Sequence, residues 1–152
     1  MTPLRSEFLF SLTAGVAAPQ NIGPSPAGYR RIVPIPGGSF EGPKLRGSVL
    51  AGGGDWLLVR SDGAAQVDAR ITLQAEDGDV IFMRYSGFAH GPKEVMDRLG
   101  RGEAVDPAAY YLRVTPLFET ASTKYAWLNR IIAVGIGQRL PQSVAYDIHE
   151  IL

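Results

Sequence analysis

The stretch "SDGAAQVDARITLQAEDGDV", residues 61–80, decides the fold of this chain. Its middle alternates between two kinds of residue, which fall on opposite faces of an extended backbone. The apolar face carries Val67, Ala69, Ile71 and Leu73, and the polar face carries Asp68, Arg70, Thr72 and Gln74. Turn signals stand at both ends, with Asp62-Gly63 before the run and "EDGD" after it. The pattern predicts a half-buried β-strand in an antiparallel sheet, over residues 66–75.

Similar short runs recur along the chain, separated by glycines and prolines that follow no period. They predict about eight to ten strands, over residues 7–16, 31–35, 45–50, 55–60, 66–75, 80–85, 110–118, 124–134 and 143–152. Residues 93–99 predict a short helical turn, which Gly100 ends. Strands joined by tight turns pair antiparallel, so we expect an all-β meander that closes into a barrel or folds as a sandwich.

Composition narrows the class of protein. The 152 residues are most simply one domain, spanning 1–152. Lys plus Arg equals Asp plus Glu at 15 each, which argues against nucleic acid as a partner, and we interpret the adjacent Arg30 and Arg31 as a solvated surface pair. The absence of cysteine excludes disulfides and thiolate chemistry and fits a cytoplasmic protein. No apolar run approaches the roughly 20 residues that span a bilayer, so we expect no membrane partner.

Three consecutive glycines, residues 52–54, stand directly before Asp55 and Trp56. They do not form a phosphate loop, because no Gly-Lys-Ser/Thr follows and the next element is a strand. A barrel corner is the better interpretation, since glycine permits sharp bending and close backbone approach. Asp55 and Trp56 then lie on opposite faces of one strand, so at most one points inward, where Arg70 or Arg113 could meet it. His90 and His149 lack ligand partners at metal spacing, so we expect no metal and no cofactor.

Polar and aromatic residues at strand-interior positions suggest a small-molecule pocket. In "KYAWLNR", Tyr125, Trp127 and Asn129 share one strand face, which lines a pocket, forms a subunit contact or belongs to the core. Asp68 and Arg70 are spaced to pair, on a face that lines the pocket or meets solvent. Further along, Arg113 shares a face with Tyr111 and Glu119 ends the same strand region.

Three segments together resemble a known family: "PIPGGSFEGPKLRGSVLAGGGDW", "DGAAQVDARITLQAEDGDVI" and "YLRVTPLFETASTKYAWLNRIIAVGIGQR". The family is the one catalogued as domain of unknown function 3237, and the resemblance covers nearly the whole chain. It implies a closed or nearly closed, lipocalin-like β-barrel with an internal pocket. Some fungal relatives are cyclases that close oxygen heterocycles, resembling chalcone isomerase in reaction type. The positions that match the family are Gly38, Gly42, Gly53, Asp55, Trp56, Asp68, Arg70, Arg113, Glu119, Thr120, Tyr125, Trp127 and Asn129.

Two classes of function follow from these residues. The first is a cofactor-independent lyase or isomerase that closes a ring on an aromatic or polyketide-like molecule. Its candidate catalytic residues are Tyr125, Glu119 and Asp68 as acid or base and Arg113 as the oxyanion partner, and its candidate ligand-binding residues are Asp55, Trp56, Arg70, Trp127 and Asn129. The alternative is a non-catalytic protein that binds an apolar ligand, or an oligomeric assembly module. In either case the expected partners are a small molecule and further copies of the chain.

Overall fold

Eleven β-strands form most of the chain in the computed structural model, which describes residues 1–152. The strands are β1 (Ser6–Gly15), β2 (Gln20–Ser25), β3 (Gly28–Ile35), β4 (Gly38–Glu41), β5 (Arg46–Val49), β6 (Gly53–Val59), β7 (Ala65–Ala75), β8 (Val80–His90), β9 (Tyr111–Glu119), β10 (Ala133–Leu140) and β11 (Ser143–Ile151). One α-helix, α1 (Lys93–Gly100), and two 3-10 segments, Pro107–Ala109 and Ala126–Arg130, complete the fold. No helix in the chain has the length and apolar character required to cross a membrane.

The strands close into an antiparallel barrel. Eight of them follow one another around the ring in the order β7-β5-β4-β1-β11-β10-β9-β8, and the pairing of β8 with β7 closes it. The other three strands extend from β7 in the order β6-β3-β2. The predicted all-β antiparallel barrel is therefore confirmed, and the sandwich alternative is wrong.

The glycine triplet lies where the chain bends between two partners of β7. On one side of the bend β5 pairs with Leu73–Ala75, and on the other side β6 pairs with residues 65–70. Gly52 adopts φ +104°, a conformation that disfavours other residues. A Cβ on Gly53 would lie 2.7 Å from the carbonyl oxygen of Arg70. The barrel-corner interpretation is confirmed: the glycines let one segment leave β5 and rejoin the same neighbour as β6.

A second bend places β3 and β6 in the barrel wall at the other end of the barrel. β3 runs into β4 through Pro36 and Gly37, and the end of β1 bonds to this bend: the Gly15 and Ala17 amides donate to the Gly37 and Pro34 carbonyl oxygens. At this end of the barrel, β3 and β6 therefore lie between β1 and β7. At the opposite end, β4 and β5 occupy these positions. Inward positions of β3 and β6 consequently face the barrel interior.

The alternation of side chains along each strand determines which residues fill the barrel. The inward face of β7 carries Ala65, Val67, Ala69, Ile71, Leu73 and Ala75, all buried. The largest fully buried side chain in the core is Phe10, which packs edge-on against Phe40 and Phe118 at centroid distances of 5.5 and 6.0 Å. The polar face of β7 points outward, so of the two alternatives predicted for it, pocket and solvent, the structure shows solvent.

One predicted strand is wrong. Residues 124–134 do not extend; Ala126–Arg130 is a 3-10 segment and β10 begins only at Ala133. Tertiary contacts override the local alternation, since the Tyr125 hydroxyl donates to the Asp77 carboxylate at 2.9 Å and the Tyr125 amide donates to Ser122 Oγ. Tyr125, Trp127 and Asn129 therefore do not share a strand face. Strands β2 and β4 were not predicted, and β8 runs five residues beyond its predicted end at Tyr85, to His90.

Candidate functional site

Asp55 is the inward member of the Asp55-Trp56 pair. In the β6–β7 ladder Asp55 lies directly opposite Ala69, which is 0% exposed and on the inner face of the barrel. Directly opposed residues of an antiparallel pair project to the same side of the sheet. Trp56 accordingly projects outward, where the Arg70 guanidinium lies 5.4 Å from its ring centroid.

A local break in the β6–β7 ladder holds the Asp55 carboxylate. Paired positions are Asp55 with Ala69 and then Leu58 with Gln66, so the intervening positions do not pair. If the same register continued without interruption, the backbone of Trp56 would pair by hydrogen bonds with the backbone of Asp68. Instead, the Asp68 amide donates to Asp55 Oδ1 at 2.9 Å, and the Arg30 guanidinium donates to the Trp56 carbonyl oxygen at 2.7 Å. Both backbone groups released by the break are thus satisfied, and one of them fixes Asp55.

Three tyrosines surround this part of the interior. Tyr85 on β8 and Tyr146 on β11 are each 3% exposed, and their rings meet edge-on at a centroid distance of 5.3 Å. The Tyr110 hydroxyl accepts the Arg139 amide at 2.8 Å. Space for these rings comes from β10, where a Cβ on Gly137 would lie 2.7 Å from the Tyr146 ring. Small residues on one strand therefore allow large phenols on its neighbours.

Two arginines complete the inner cluster, which we define as Asp55, Tyr85, Tyr110, Tyr146, Arg31 and Arg139. Arg31 lies opposite the inward Leu57 in the β3–β6 ladder, one pleat from Val33, which lies opposite Asp55. Arg139 continues the inward face of Gly135 and Gly137 on β10. The interpretation of Arg30 and Arg31 as a surface pair is wrong for Arg31, because alternation along β3 turns these neighbours to opposite faces.

Burial and charge set the protonation states in the inner cluster. Burial raises the pKa of Asp55 and the Asp68 charge adds to the rise, while the Asp68 amide and the Arg139 charge oppose it, and the resulting pKa is about 6. Burial likewise raises the pKa values of Tyr85 and Tyr146, and the nearby Asp55 charge adds to both shifts. Burial lowers the pKa of Arg139, and the positive charge of Arg31 lowers it further. The cluster therefore combines a carboxyl that ionises near neutrality with phenols that stay protonated.

The candidates predicted on the polar strand faces lie outside the barrel. Asp68 and Arg70 form an exposed pair at 3.7 Å, with side chains 51% and 52% exposed. The Arg113 guanidinium lies over the Tyr111 ring and donates to the Leu112 carbonyl oxygen, and Glu119 is exposed at the end of β9. None of these four side chains enters the inner cluster, because each occupies the outward parity of its strand. Neither Arg70 nor Arg113 meets Asp55.

The aromatic candidates around the 3-10 segment lie beside the turn between β7 and β8. Tyr125 is 4% exposed and bonds to Asp77, which also pairs with Lys124 at 2.9 Å. Trp127 packs against the core, with the Lys44 ammonium 5.1 Å from its ring centroid. Asn129 accepts the Thr120 amide and donates to the Thr120 carbonyl oxygen. These contacts hold the segment in place and do not join it to Asp55.

An outer groove brings two of the predicted residues near each other. It runs across β7, β8, β9 and β10, and its lining includes Asp68, Arg113, Phe88, Tyr111 and Ile136. Phe88, Tyr111 and Ile136 are 42%, 44% and 48% exposed. The groove is an exterior surface of the sheet, separated from the inner cluster by the barrel wall. No cluster of three or more His, Asp and Glu side chains is arranged to hold a metal ion.

Asp55 is the one member of the inner cluster that was predicted from the sequence as a site residue. Strand parity was the available signal, since "AVGIGQR" places Arg139 on the face of Gly135 and Gly137. The same rule applied to "GYRRIV" separates Arg31 from Arg30. It could not show that β3 and β10 face a common interior, because that depends on the closure of the barrel.

Two solved structures share this fold over the full chain. A conserved protein from Rhodopseudomonas palustris matches with a TM-score of 0.97 at 34% identity and covers 100% of both chains. A β-barrel-like protein from Acinetobacter baumannii AYE matches with a TM-score of 0.88 at 41% identity, covering 100% of this chain and 98% of that one.

A characterised relative comes from a fungus. The hydroalkoxylation enzyme phnH of Penicillium herquei is 34% identical over 137 residues, which cover 88% of this chain and 74% of that protein. The family model described as "Protein of unknown function (DUF3237)" matches residues 4–151. The chain, with its closed barrel and full-length relatives, therefore belongs to the DUF3237 family.

Proposed function

We propose that this protein is a cofactor-independent enzyme that closes a ring by adding a hydroxyl group across a carbon–carbon double bond of an aromatic or polyketide-like substrate. The observation that carries the proposal is Asp55, a half-buried carboxyl inside the barrel with a pKa of about 6. A group poised near neutrality serves as both proton acceptor and proton donor. The reaction requires both steps and neither gains nor loses electrons overall.

The inner cluster supplies the groups that such an addition needs. Asp55 removes the hydroxyl proton while the oxygen bonds to the alkene carbon, and the electrons of the double bond pass to a conjugated carbonyl as an enolate. The guanidinium groups of Arg31 and Arg139 stabilise that enolate oxygen. Protonated Asp55 then returns the proton to carbon, so that one O–H and one π bond break while one C–O and one C–H bond form.

The relative from Penicillium herquei supports the reaction class, since a hydroalkoxylation is the addition of an alcohol oxygen and a proton across a double bond. At 34% identity the likeness supports a class of reaction rather than a substrate. The proposal transfers the acid–base role from the outward residues predicted by sequence to Asp55, because only Asp55 combines burial, a raised pKa and neighbouring guanidinium groups.

The test uses 2′-hydroxychalcone, a hydroxyaryl enone whose phenol adds to its own alkene. The wild-type protein is expected to accelerate closure and to give one enantiomer of the product in excess, measured by loss of enone absorbance and by chiral chromatography. Asp55→Asn should lose the acceleration by about 100-fold or more, a typical contribution of general acid–base catalysis.

Asp147→Asn is the matched control, because Asp147 lies on the outer face of β11 and accepts a hydrogen bond from Ser11. It should close the ring at the wild-type rate. Closure at the background rate with racemic product would contradict the proposal, as would an Asp55→Asn variant as active as wild type. Recovery of tightly bound, unreacted probe would favour the alternative of a non-catalytic binding protein.

A further inference from the structure

The inner cluster carries more positive than negative charge. Arg31 and Arg139 both project into the barrel, and Asp55 is the carboxylate they share there. No ion pair within 4.0 Å involves either guanidinium, although eight such pairs form elsewhere in the molecule, where side chains are more exposed. Two cations in the barrel therefore lack a direct counter-charge.

Arg31 shows the imbalance at the level of one atom. Its Nε is buried and has no hydrogen-bond acceptor among the protein atoms, and no other buried side-chain nitrogen or oxygen is in that condition. Leaving a buried charged donor unsatisfied is costly, so such groups are rare unless a ligand completes them. The Nε–H of Arg31 is thus a donor held in position without a protein partner.

Arg139 projects into the same interior from β10. Its backbone amide is anchored to the Tyr110 hydroxyl at 2.8 Å, which fixes the base of the side chain on β10. Both side chains project into the one interior, and burial together with the Arg31 charge lowers the pKa of Arg139, so the two like charges act on each other in a region of reduced solvation. An anion bound between them would relieve this repulsion and the desolvation at once.

We propose that Arg31 and Arg139 together bind the oxyanion of a planar aromatic monoanion, so that the substrate enters the barrel already ionised at an oxygen other than the hydroxyl that Asp55 deprotonates. A guanidinium group is planar and presents paired donors, which match a delocalised oxyanion such as a phenolate or a carboxylate. The tyrosine hydroxyls beside the pair are further neutral donors. This inference rests on the proposed function for the location of the reacting atoms and adds the charge of the substrate.

The first test follows the ionisation of 4-nitrophenol by its visible absorbance. Wild-type protein should bind the phenolate form, so the midpoint of the probe's ionisation should fall to lower pH in its presence. Isothermal titration with benzoate and with neutral benzamide forms the second test, in which benzoate should bind at least about tenfold more tightly. The relative affinity of nitrophenolate and benzoate distinguishes a phenolic from a carboxylic source of the anion.

Arg31→Gln and Arg139→Gln should each weaken anion binding by about tenfold, the loss expected for one charge-assisted hydrogen bond. Arg31→Lys and Arg139→Lys retain the charge and serve if a Gln variant fails to fold. Arg84→Gln is the matched control, since Arg84 is an exposed arginine on the outer face of β8, directly before Tyr85. Equal binding of benzamide and benzoate would overturn the inference, as would anion binding that survives both arginine substitutions or no anion binding by wild type.

The failure of this inference differs from failure of the proposed function. If ring closure depends on Asp55 but no anion binds, the proposed function is supported and the inferred negative charge of the substrate is wrong. If anion binding depends on Arg31 and Arg139 but no ring closure occurs, the anion site is supported and the proposed reaction is wrong.

Discussion

At the scale of single residues, the ionisation of Asp55 links the fold to the chemistry. Its pKa rises from 3.8, the ordinary value, to about 6 in the folded chain. The ionised form is therefore less favourable in the native state than in the unfolded chain. Below the pKa that Asp55 has in the unfolded chain, the carboxyl is protonated in both states and does not lower the unfolding free energy. As pH rises through the pKa of the folded state, Asp55 lowers the unfolding free energy, because its ionised form is less favourable in the folded chain.

The change that tests this linkage is Asp55→Asn, measured by urea unfolding from about pH 4 to about pH 8. The unfolding free energy of the variant relative to wild type should increase through this window and level off above the folded pKa. The increase should be at most about 2 to 3 kcal/mol, the free-energy equivalent of the shift. The control is Asp147→Asn, for which no such trend is expected. A difference that stays constant with pH would contradict the raised pKa.

Five ionisable groups lie on the elements packed around Asp55, four facing the interior and one, Asp68, facing outward, and they bear on the interpretation of that experiment. They are Arg31 on β3, Asp68 on β7, Tyr85 on β8, Arg139 on β10 and Tyr146 on β11. Burial raises the pKa values of both phenols, which therefore stay neutral across the window. Asp68 is half-exposed and paired with Arg70. The pH dependence removed by Asp55→Asn is therefore that of Asp55.

At the scale of elements, strand β10 creates the room that the inner cluster occupies. A Cβ on Gly137 would lie 2.4 Å from Leu112 Cγ and 2.7 Å from the Tyr146 ring. Both neighbours are buried, so an added methyl group would have to displace packed side chains. Gly137 is therefore required by the close packing of its neighbours and not by a turn.

Gly137→Ala should lower the unfolding free energy by about 1 to 3 kcal/mol, the usual cost of overpacking a core. Thermal and urea unfolding measure it. Gly100→Ala is the control, because a Cβ there meets nothing within 4 Å and Gly100 lies at the end of α1. Should Gly137→Ala prove as stable as wild type, β10 would not limit the space around Tyr146.

Elements differ in how far the sequence alone predicts them. Strand β7 was predicted within one residue, because its alternation and both of its flanking turns are local signals. The segment around Trp127 was wrongly predicted as a strand, because its 3-10 conformation depends on bonds to Asp77, Ser122 and Thr120. Contacts between residues distant in sequence decide that segment, and no local pattern contains them.

At the scale of the whole molecule, barrel closure separates what sequence predicts from what it does not. Most of the strands, their antiparallel pairing and the choice of Asp55 as a candidate residue follow from patterns within single strands, whereas β2, β4 and the inward direction of Asp55 do not. Arg31 and Arg139 are 108 positions apart and come together only because β3 and β10 line one interior. The resemblance to the family supplied the barrel but not the inward face of each strand.

The expected homo-oligomer remains a prediction at this scale. The outer groove exposes Phe88, Tyr111 and Ile136, an apolar surface suited to a second copy of the chain. Analytical ultracentrifugation should give a mass that is a multiple of 16.4 kDa. Ile136→Lys should reduce it to that of one chain, whereas Val80→Lys, at a residue 50% exposed and outside the groove, should not. A wild-type mass of 16.4 kDa would contradict the prediction.

The raised pKa of Asp55 is the property on which the proposed acid–base role depends, and it can be measured without a substrate. Aspartate labelled with ¹³C at the side-chain carboxyl gives one NMR resonance per residue, and Asp55→Asn identifies the resonance of Asp55 by its loss. Titration should give a midpoint at about pH 6 for this resonance. A midpoint near 3.8, the ordinary value for aspartate, would contradict an acid–base residue held in the interior of the barrel.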